Sequence, residues 1–190
     1  MNDQELRFAK AMECFRDIVA TLELAAREGW HMDQLERSVK PRLAEMGKEF
    51  LFAFAQGCGN GDVGAQVEIG GRHLQRSENP LPKRYASIFG ELKIERYVYS
   101  AGEKQAIEYS PVDACLGLPA GDMSYVLEDY QQRLCVNSPY HKATDDLKEI
   151  LGFGVGVRTA EHMNREMAQF AEGFRLSTAF DENADPAPTG

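Results

Sequence analysis

Apolar residues recur every three or four positions along the first third of the chain, every second position along the next stretch, and every three or four again near the end. The first segment, from about Asp3 to Arg27, places Phe8, Met12, Phe15, Val19 and Leu22 on one helical face. Gly29 is a suitable stop. Asp33, with Glu36 three residues on, offers a second helix start. Its stripe is Leu35, Val39, Leu43, Met46, Phe50 and Phe54. Pro41 lies within it and predicts a kink or break near residue 40. The two segments predict an αα-hairpin, packed on its own chain or on a second copy.

The run Gly57-Cys-Gly-Asn-Gly-Asp-Val-Gly64 breaks the helical rhythm. It lacks the spacing of a phosphate loop or dinucleotide fingerprint, and no strand precedes it, so it predicts a helix-to-sheet junction. Beyond it the period becomes two. Gln66–Ile69 and His73–Arg76 flank Gly70-Gly71, a two-residue hairpin signal. Arg84–Ile88 and Leu92–Tyr99 flank Phe89-Gly90-Glu91 as a second hairpin. Alternation puts Leu92, Ile94 and Val98 on the phase opposite Lys93, Glu95, Tyr97 and Tyr99. Ile107 and Tyr109 predict one more short strand.

Helices then return. Asp122 or Ser124 caps a segment through Val126, Leu127, Tyr130 and Leu134. Ser138-Pro139 reads as a cap followed by a first-position proline, opening a helix with Ala143, Leu147, Ile150 and Leu151 that stops at Gly152. A last helix starts near Val157 or Arg158, with Ala160, Met163, Met167, Phe170 and Phe174 as its stripe. The final residues are polar and proline-containing, which predicts a disordered tail or linker. The expected fold class is α+β, mainly helical. Residues 1–58 form a helical hairpin, 59–118 a small antiparallel β-unit, 119–176 a helical segment resembling a helix-turn-helix, and 177–190 the tail.

The chain has 190 residues and 43% hydrophobic composition, enough for a real core in one compact domain or two small ones. No apolar run approaches the roughly 20 residues of a membrane span, and the start has no apolar signal region. Cys14, Cys58, Cys115 and Cys135 are widely scattered. That spacing argues against a zinc site or a disulfide framework and suits a reducing cytoplasm.

Charge complicates the picture. The formal net charge is −9, unpromising for a general polyanion binder. Between Gly71 and Arg96, however, six basic residues face three acidic ones. Arg72, Arg76, Lys83 and Arg84 surround a loop with Pro80 and Pro82 and are candidates for contacts with a phosphate backbone. The competing expectation is a hairpin whose charged edges resist aggregation.

The segment from Ser138 to Phe174 has the layout of a helix-turn-helix, in which a second helix buries one stripe and offers polar side chains to base edges. The free face would carry Arg158, Thr159, Glu161, His162, Asn164 and Arg165. Arginine suits guanine, asparagine suits adenine, and threonine or histidine reaches phosphate. The turn from Gly152 to Gly156 is longer than the compact version, and the alternative is an ordinary helical hairpin with a solvated face. No acid–base pair, nucleophile or metal cluster has the spacing that catalysis needs. The four histidines are far apart, and Asp145, Asp146 and Glu149 read as a solvated helix face. No catalytic residue and no metal ligand is assigned.

Several strings, taken in order, resemble one family. They are Gly57–Gly64, Arg84-Tyr-Ala-Ser-Ile-Phe-Gly-Glu91 with Ile94-Glu-Arg-Tyr-Val-Tyr99, Leu116-Gly-Leu-Pro119, Ser124-Tyr-Val-Leu127, Ile150-Leu-Gly152 and Glu161-His-Met-Asn-Arg165. The set resembles the N-terminal region of the ISKra-type insertion-sequence transposases over roughly residues 45–175. That resemblance implies recognition of double-stranded DNA at element ends, in a homo-oligomer, in the cytoplasm with the nucleoid. Family members cut and join DNA with a carboxylate triad in an RNase H-like domain that follows a proline-rich linker. The triad has no counterpart here, so the chain alone is expected to carry no catalysis and no cofactor, with Mg²⁺ belonging to the absent catalytic domain. Arg158, Thr159, His162, Asn164 and Arg165 are the expected groove contacts; Arg72, Arg76, Lys83 and Arg84 are the expected backbone contacts. Two other expectations stand beside this one: a remnant that occupies element ends as a regulator, and an assembly module with no DNA affinity.

Overall fold

The structure, a computed structural model, describes residues 6–102 and 105–177. It is an α+β fold, mainly helical. Helix α1 spans Ala9–Glu28 and α2 spans Met32–Gly57. Strands β1 (Gln66–Ile69), β2 (Arg72–Arg76), β3 (Leu81–Ser87), β4 (Gly90–Arg96) and β5 (Tyr99–Ser100) follow. Then come α3 (Pro111–Leu116), α4 (Tyr125–Asn137), α5 (Tyr140–Leu151) and α6 (Val157–Ser177). The chain divides into two compact units, Met1–Asp129 and Tyr130–Gly190, with the boundary inside α4. The helical hairpin and the β-unit both lie in the first unit and share a core. Of the predicted tail, Ser177 ends α6 and residues 178–190 lie outside the described residues.

In the first unit α1 and α2 pack as a hairpin. Gly29 ends α1 in the left-handed conformation, with φ 67°. The start of α2 differs from expectation. His31 and Gln34, two residues before Asp33 and Glu36, form the capping box, and the His31 amide donates to Gln34 Oε1 at 2.9 Å. The expected break at Pro41 is absent. The missing hydrogen bond costs about 3 kcal/mol, but the helix continues for 26 residues because its flanks pack on α1 and β4.

The face of α1 that turns inward is also different. Ala11, Ile18 and Ala25 are buried, while Met12, Phe15, Val19 and Leu22 stay between 36% and 49% exposed. Phe8, half-buried, is the one member of the expected stripe that packs inward, its ring 6.1 Å from that of Phe50. The inward positions are seven residues apart, a spacing that keeps one seam against a neighbouring helix. On α2, Leu43, Phe50 and Phe54 are exposed as well.

The β-unit follows the predicted hairpins closely. Strand β1 pairs antiparallel with β2, with Ile69 opposite Arg72. Gly70 and Gly71 both have positive φ, as the two-residue turn requires. Strand β3 pairs with β4, Arg84 opposite Lys93 and Tyr85 opposite Leu92. Leu92, Ile94 and Arg96 alternate inward along β4. The phase then resets. Strand β4 ends at Arg96, and β5 pairs with β2 in the other sheet. Tyr99, expected on the polar phase, is therefore fully buried. The expected strand at Ile107 and Tyr109 reduces to a single bridge between Tyr99 and Tyr109.

The β-unit docks on α2 through a close approach. The Phe89 ring lies against Gly47, where a Cβ would come within 2.6 Å of it. Ala55, Ile94 and Val112 form a buried cluster joining α2, β4 and α3, with Tyr85, Leu116 and Leu118 against it. Ser110 caps α3 by accepting from the Asp113 amide at 3.3 Å. Ser124 caps α4, accepting from the Leu127 amide at 3.1 Å, as expected.

In the second unit α5 and α6 are joined by residues 152–156. Gly152 closes α5 with φ 81°. Ser138 makes no cap bond; Pro139 takes the N-cap position and the helix begins at Tyr140. Ala143 and Leu147 are buried on α5, while Ile150 is half exposed. Ala160 and Met163 are buried on α6, but Met167 is 47% exposed, and the side chains of Phe170 and Phe174 lie outside those described.

Candidate nucleic-acid interface

The first turns of α6 separate their side chains cleanly. Ala160 and Met163 point inward. Arg158, His162 and Arg165, spaced by four and three, share the opposite face. Arg158, Thr159, Glu161, His162 and Arg165 line one open surface depression. Val157 begins the helix, and Gly156 accepts from the Thr159 and Ala160 amides at 3.0 and 3.1 Å. The positive end of the helix dipole thus lies beside Arg158 and Thr159, a favourable setting for an anion.

Asn164 does not join this surface. It is half-buried, and its amide Nδ2 donates to the Ala160 carbonyl at 2.9 Å. Glu161 joins it instead, and Glu166 stands 3.5 Å from His162 Nε2. The face is mixed in charge rather than uniformly basic.

The four candidate phosphate contacts of the β-unit, Arg72, Arg76, Lys83 and Arg84, are each engaged within the fold. Arg72 pairs with Glu108 at 2.9 Å and keeps its side chain 71% exposed. Arg76 pairs with Asp62, and its guanidinium carbon lies 4.6 Å from the centre of the Tyr97 ring. Arg84 pairs with Glu91 across the hairpin and is 58% exposed. Lys83 differs most from expectation. It is 8% exposed, and Nζ donates to the carbonyls of Ala120 and Gly121 at 3.3 and 3.2 Å. The alternation of β3 turns it inward, so it is not on a surface that a phosphate chain can follow.

These pairs shift their carboxylates. The Gly64 amide and then Arg76 hold the Asp62 carboxyl below its ordinary value, and Arg84 does the same for Glu91. Among the described residues no three His, Cys, Asp or Glu side chains gather as a metal site. No described helix is long and apolar enough to cross a membrane.

No family model, no curated protein and no solved structure matches this chain.

Sequence reasoning missed the carboxylate partners. Glu91 was within reach, because a turn at Ser87–Gly90 puts it diagonal to Arg84. Asp62 and Glu108 lie in irregular segments and give no periodic signal. It also missed a sulfur pair. Cys58, the C-cap of α2, and Cys115, on α3, lie 57 residues apart in sequence, and Cys115 Sγ is 2.7 Å from Cys58 Sγ.

Proposed function

We propose that this chain is a DNA-binding module for element-end recognition, the N-terminal portion of a transposase-like protein. The observation that carries the reading is the exposed face of α6, where Arg158, Thr159, His162 and Arg165 line one depression opposite the buried Ala160 and Met163. In this reading the N-terminal turns of α6 enter a major groove. Arg158 and Arg165 read base edges, while Thr159 and His162 meet phosphate. Arg72 and Arg84, the more exposed arginines of the β-unit, add backbone contacts by exchanging Glu108 and Glu91 for phosphate. Lys83 has no part in it, and Asn164 serves the helix. No chemistry is assigned to these residues.

The apolar stripe Met12, Phe15, Val19 and Leu22 supports a second copy packing on α1. Joining two DNA ends needs at least two copies. Covering half-exposed side chains of this size contributes about 1 kcal/mol each.

The test is fluorescence anisotropy of a labelled duplex from the element end, against a scrambled duplex, at low and near-physiological salt. Sequence-dependent binding that weakens with salt is the expected result. Arg158→Ala with Arg165→Ala should lose tenfold or more in affinity, at about 1–3 kcal/mol per base-reading arginine. Unchanged sequence-specific affinity in that variant overturns the reading.

A second reading draws on the paired arginines and the net charge: an assembly module with no DNA affinity. Dimerisation in sedimentation together with no binding to either duplex at low salt would favour it.

A further inference from the structure

We propose that Cys58 and Cys115 are a site of reversible oxidative modification, closing to an intramolecular disulfide on exchange with a low-molecular-weight disulfide such as oxidised glutathione.

The geometry is already near that of the bonded pair. The two sulfurs are 2.7 Å apart, against about 2.05 Å in a disulfide. Their approach is held by the core rather than by side-chain chance. Ala55, three residues before Cys58, and Val112, three residues before Cys115, belong to one buried cluster with Ile94. Leu116, next to Cys115, packs against the same cluster. The segment after Cys58 is clamped too. A Cβ at Gly61 would lie 2.9 Å from Val112 Cγ2, so the loop passes directly over α3. Closing the bond therefore asks for a rotation of side chains and no movement of an element.

The two thiols differ in access. Cys115 is exposed and Cys58 is half-buried. The hydrogen bond with Cys115, together with burial, pushes the Cys58 thiol up from its ordinary value. An incoming reagent thus meets Cys115 first.

The exchange proceeds in two displacements. The Cys115 thiolate attacks one sulfur of the small disulfide, breaks its S–S bond and expels one small thiolate. The Cys58 thiolate then attacks Cys115 Sγ and expels the second. Two protein thiols lose two electrons and two protons. One small disulfide gains both and leaves as two thiols. The product ties the end of α2 to α3 and closes a loop around the whole β-unit.

The other cysteines serve as controls. Cys14 is on α1, half-buried, with its thiol pushed up by burial and by Glu49, Glu45 and Asp17. Cys135 lies on α4, where it accepts from Gln131 Nε2 at 3.2 Å. Neither makes a sulfur–sulfur contact among the described residues.

The experiment uses the whole chain, reduced and then equilibrated with oxidised glutathione. Free thiols are alkylated and the protein is digested and mapped by mass spectrometry. The expected result is a linked peptide pair containing Cys58 and Cys115, with Cys14 and Cys135 alkylated, and full reversal by dithiothreitol. The melting midpoint of the oxidised form should rise by roughly 5–15 °C over the reduced form. Cys14→Ser with Cys135→Ser should behave as the wild type. Cys58→Ser should instead hold a stable mixed disulfide with glutathione on Cys115. Mapping the wild type needs no variant to fold. Alkylation of both Cys58 and Cys115 after equilibration, a stable mixed disulfide in the wild type, or links spread over all four cysteines would overturn the proposal.

Discussion

Arg96 and Asp113 join strand β4 to helix α3 across 17 residues of sequence, Nε donating to Oδ1 at 2.6 Å. Arg96 is 6% exposed and donates a second bond to the Leu81 carbonyl at 3.2 Å. Asp113 is more accessible, with its side chain 26% exposed. Removing the carboxylate leaves a guanidinium buried without its counter-charge, which costs more than losing the pair as a whole. Asp113→Ala should therefore lower unfolding stability by about 2–4 kcal/mol. Arg96→Met, of similar length and without charge, should cost less than half of that. Urea titration of both variants checks the order; a costlier Arg96→Met would refute the account.

Gly47 sits mid-helix, where alanine would ordinarily help by about 1 kcal/mol. The Phe89 ring reverses the sign, because a Cβ there would meet Cδ1, Cγ and Cε1 at 2.6 to 2.9 Å. Overpacking of this kind costs about 1–3 kcal/mol. Gly47→Ala should thus destabilise the wild type, yet stabilise a Phe89→Ala background by about 0.5–1 kcal/mol. Additive effects in that cycle would show that the ring does not set the choice of glycine.

Acid should weaken the β-unit through Asp62 and Glu91. Both carboxyls are held below their ordinary values in the folded chain, Asp62 by the Gly64 amide and Arg76, Glu91 by Arg84. The unfolded state then binds protons first as pH falls. Their contribution is complete above the ordinary carboxylate values, near pH 4 to 4.5. It is lost as pH drops through the lowered folded values. Asp62→Asn with Glu91→Gln should flatten the decline of the melting midpoint between about pH 5 and 2. An unchanged slope would mean that the pairs are not formed in solution.

The exposed face of α1 predicts self-association. Phe15→Glu places a charge among Met12, Val19 and Leu22, none of which is buried in one copy of the chain. It should shift sedimentation from dimer to monomer without lowering the melting midpoint of the monomer. A wild-type chain that stays monomeric at all accessible concentrations would refute the pairing.

Lys83 and Arg72 separate structural from electrostatic roles. Under the proposed DNA-binding reading, Lys83→Met should leave the salt dependence of binding unchanged while costing stability, because Nζ bonds carbonyls inside the fold. Arg72→Ala should do the reverse, reducing the salt slope by about one.

The elements were legible wherever a local rule decides them. The paired glycines at 70 and 71 specified the first hairpin, and Ser124 and Gly152 marked helix ends. The burial of α1 was not. Most of its apolar stripe stays exposed, because hydrophobic rhythm reports that a face is apolar and not which partner covers it. Pro41 misled for a related reason: a local penalty was outweighed by packing along a long helix. The shared face of Arg158, His162 and Arg165 was legible along α6, where spacing alone places them together. Contacts that cross the fold were not legible. Lys83 turns inward by strand phase, and Cys58 meets Cys115 through a core that neither residue announces.

Tyr99 has a consequence for how the first unit comes apart. Its hydroxyl accepts from the Val63 amide at 3.0 Å and donates to the Gly64 carbonyl at 2.9 Å. Its backbone exchanges bonds with Tyr109, and its strand pairs with β2. One fully buried residue thus ties together the junction loop, a strand and the approach to α3. None of these short segments can stand alone, so they should open and close as one cooperative unit. The Val63, Tyr99 and Tyr109 amides should exchange with solvent at a common rate.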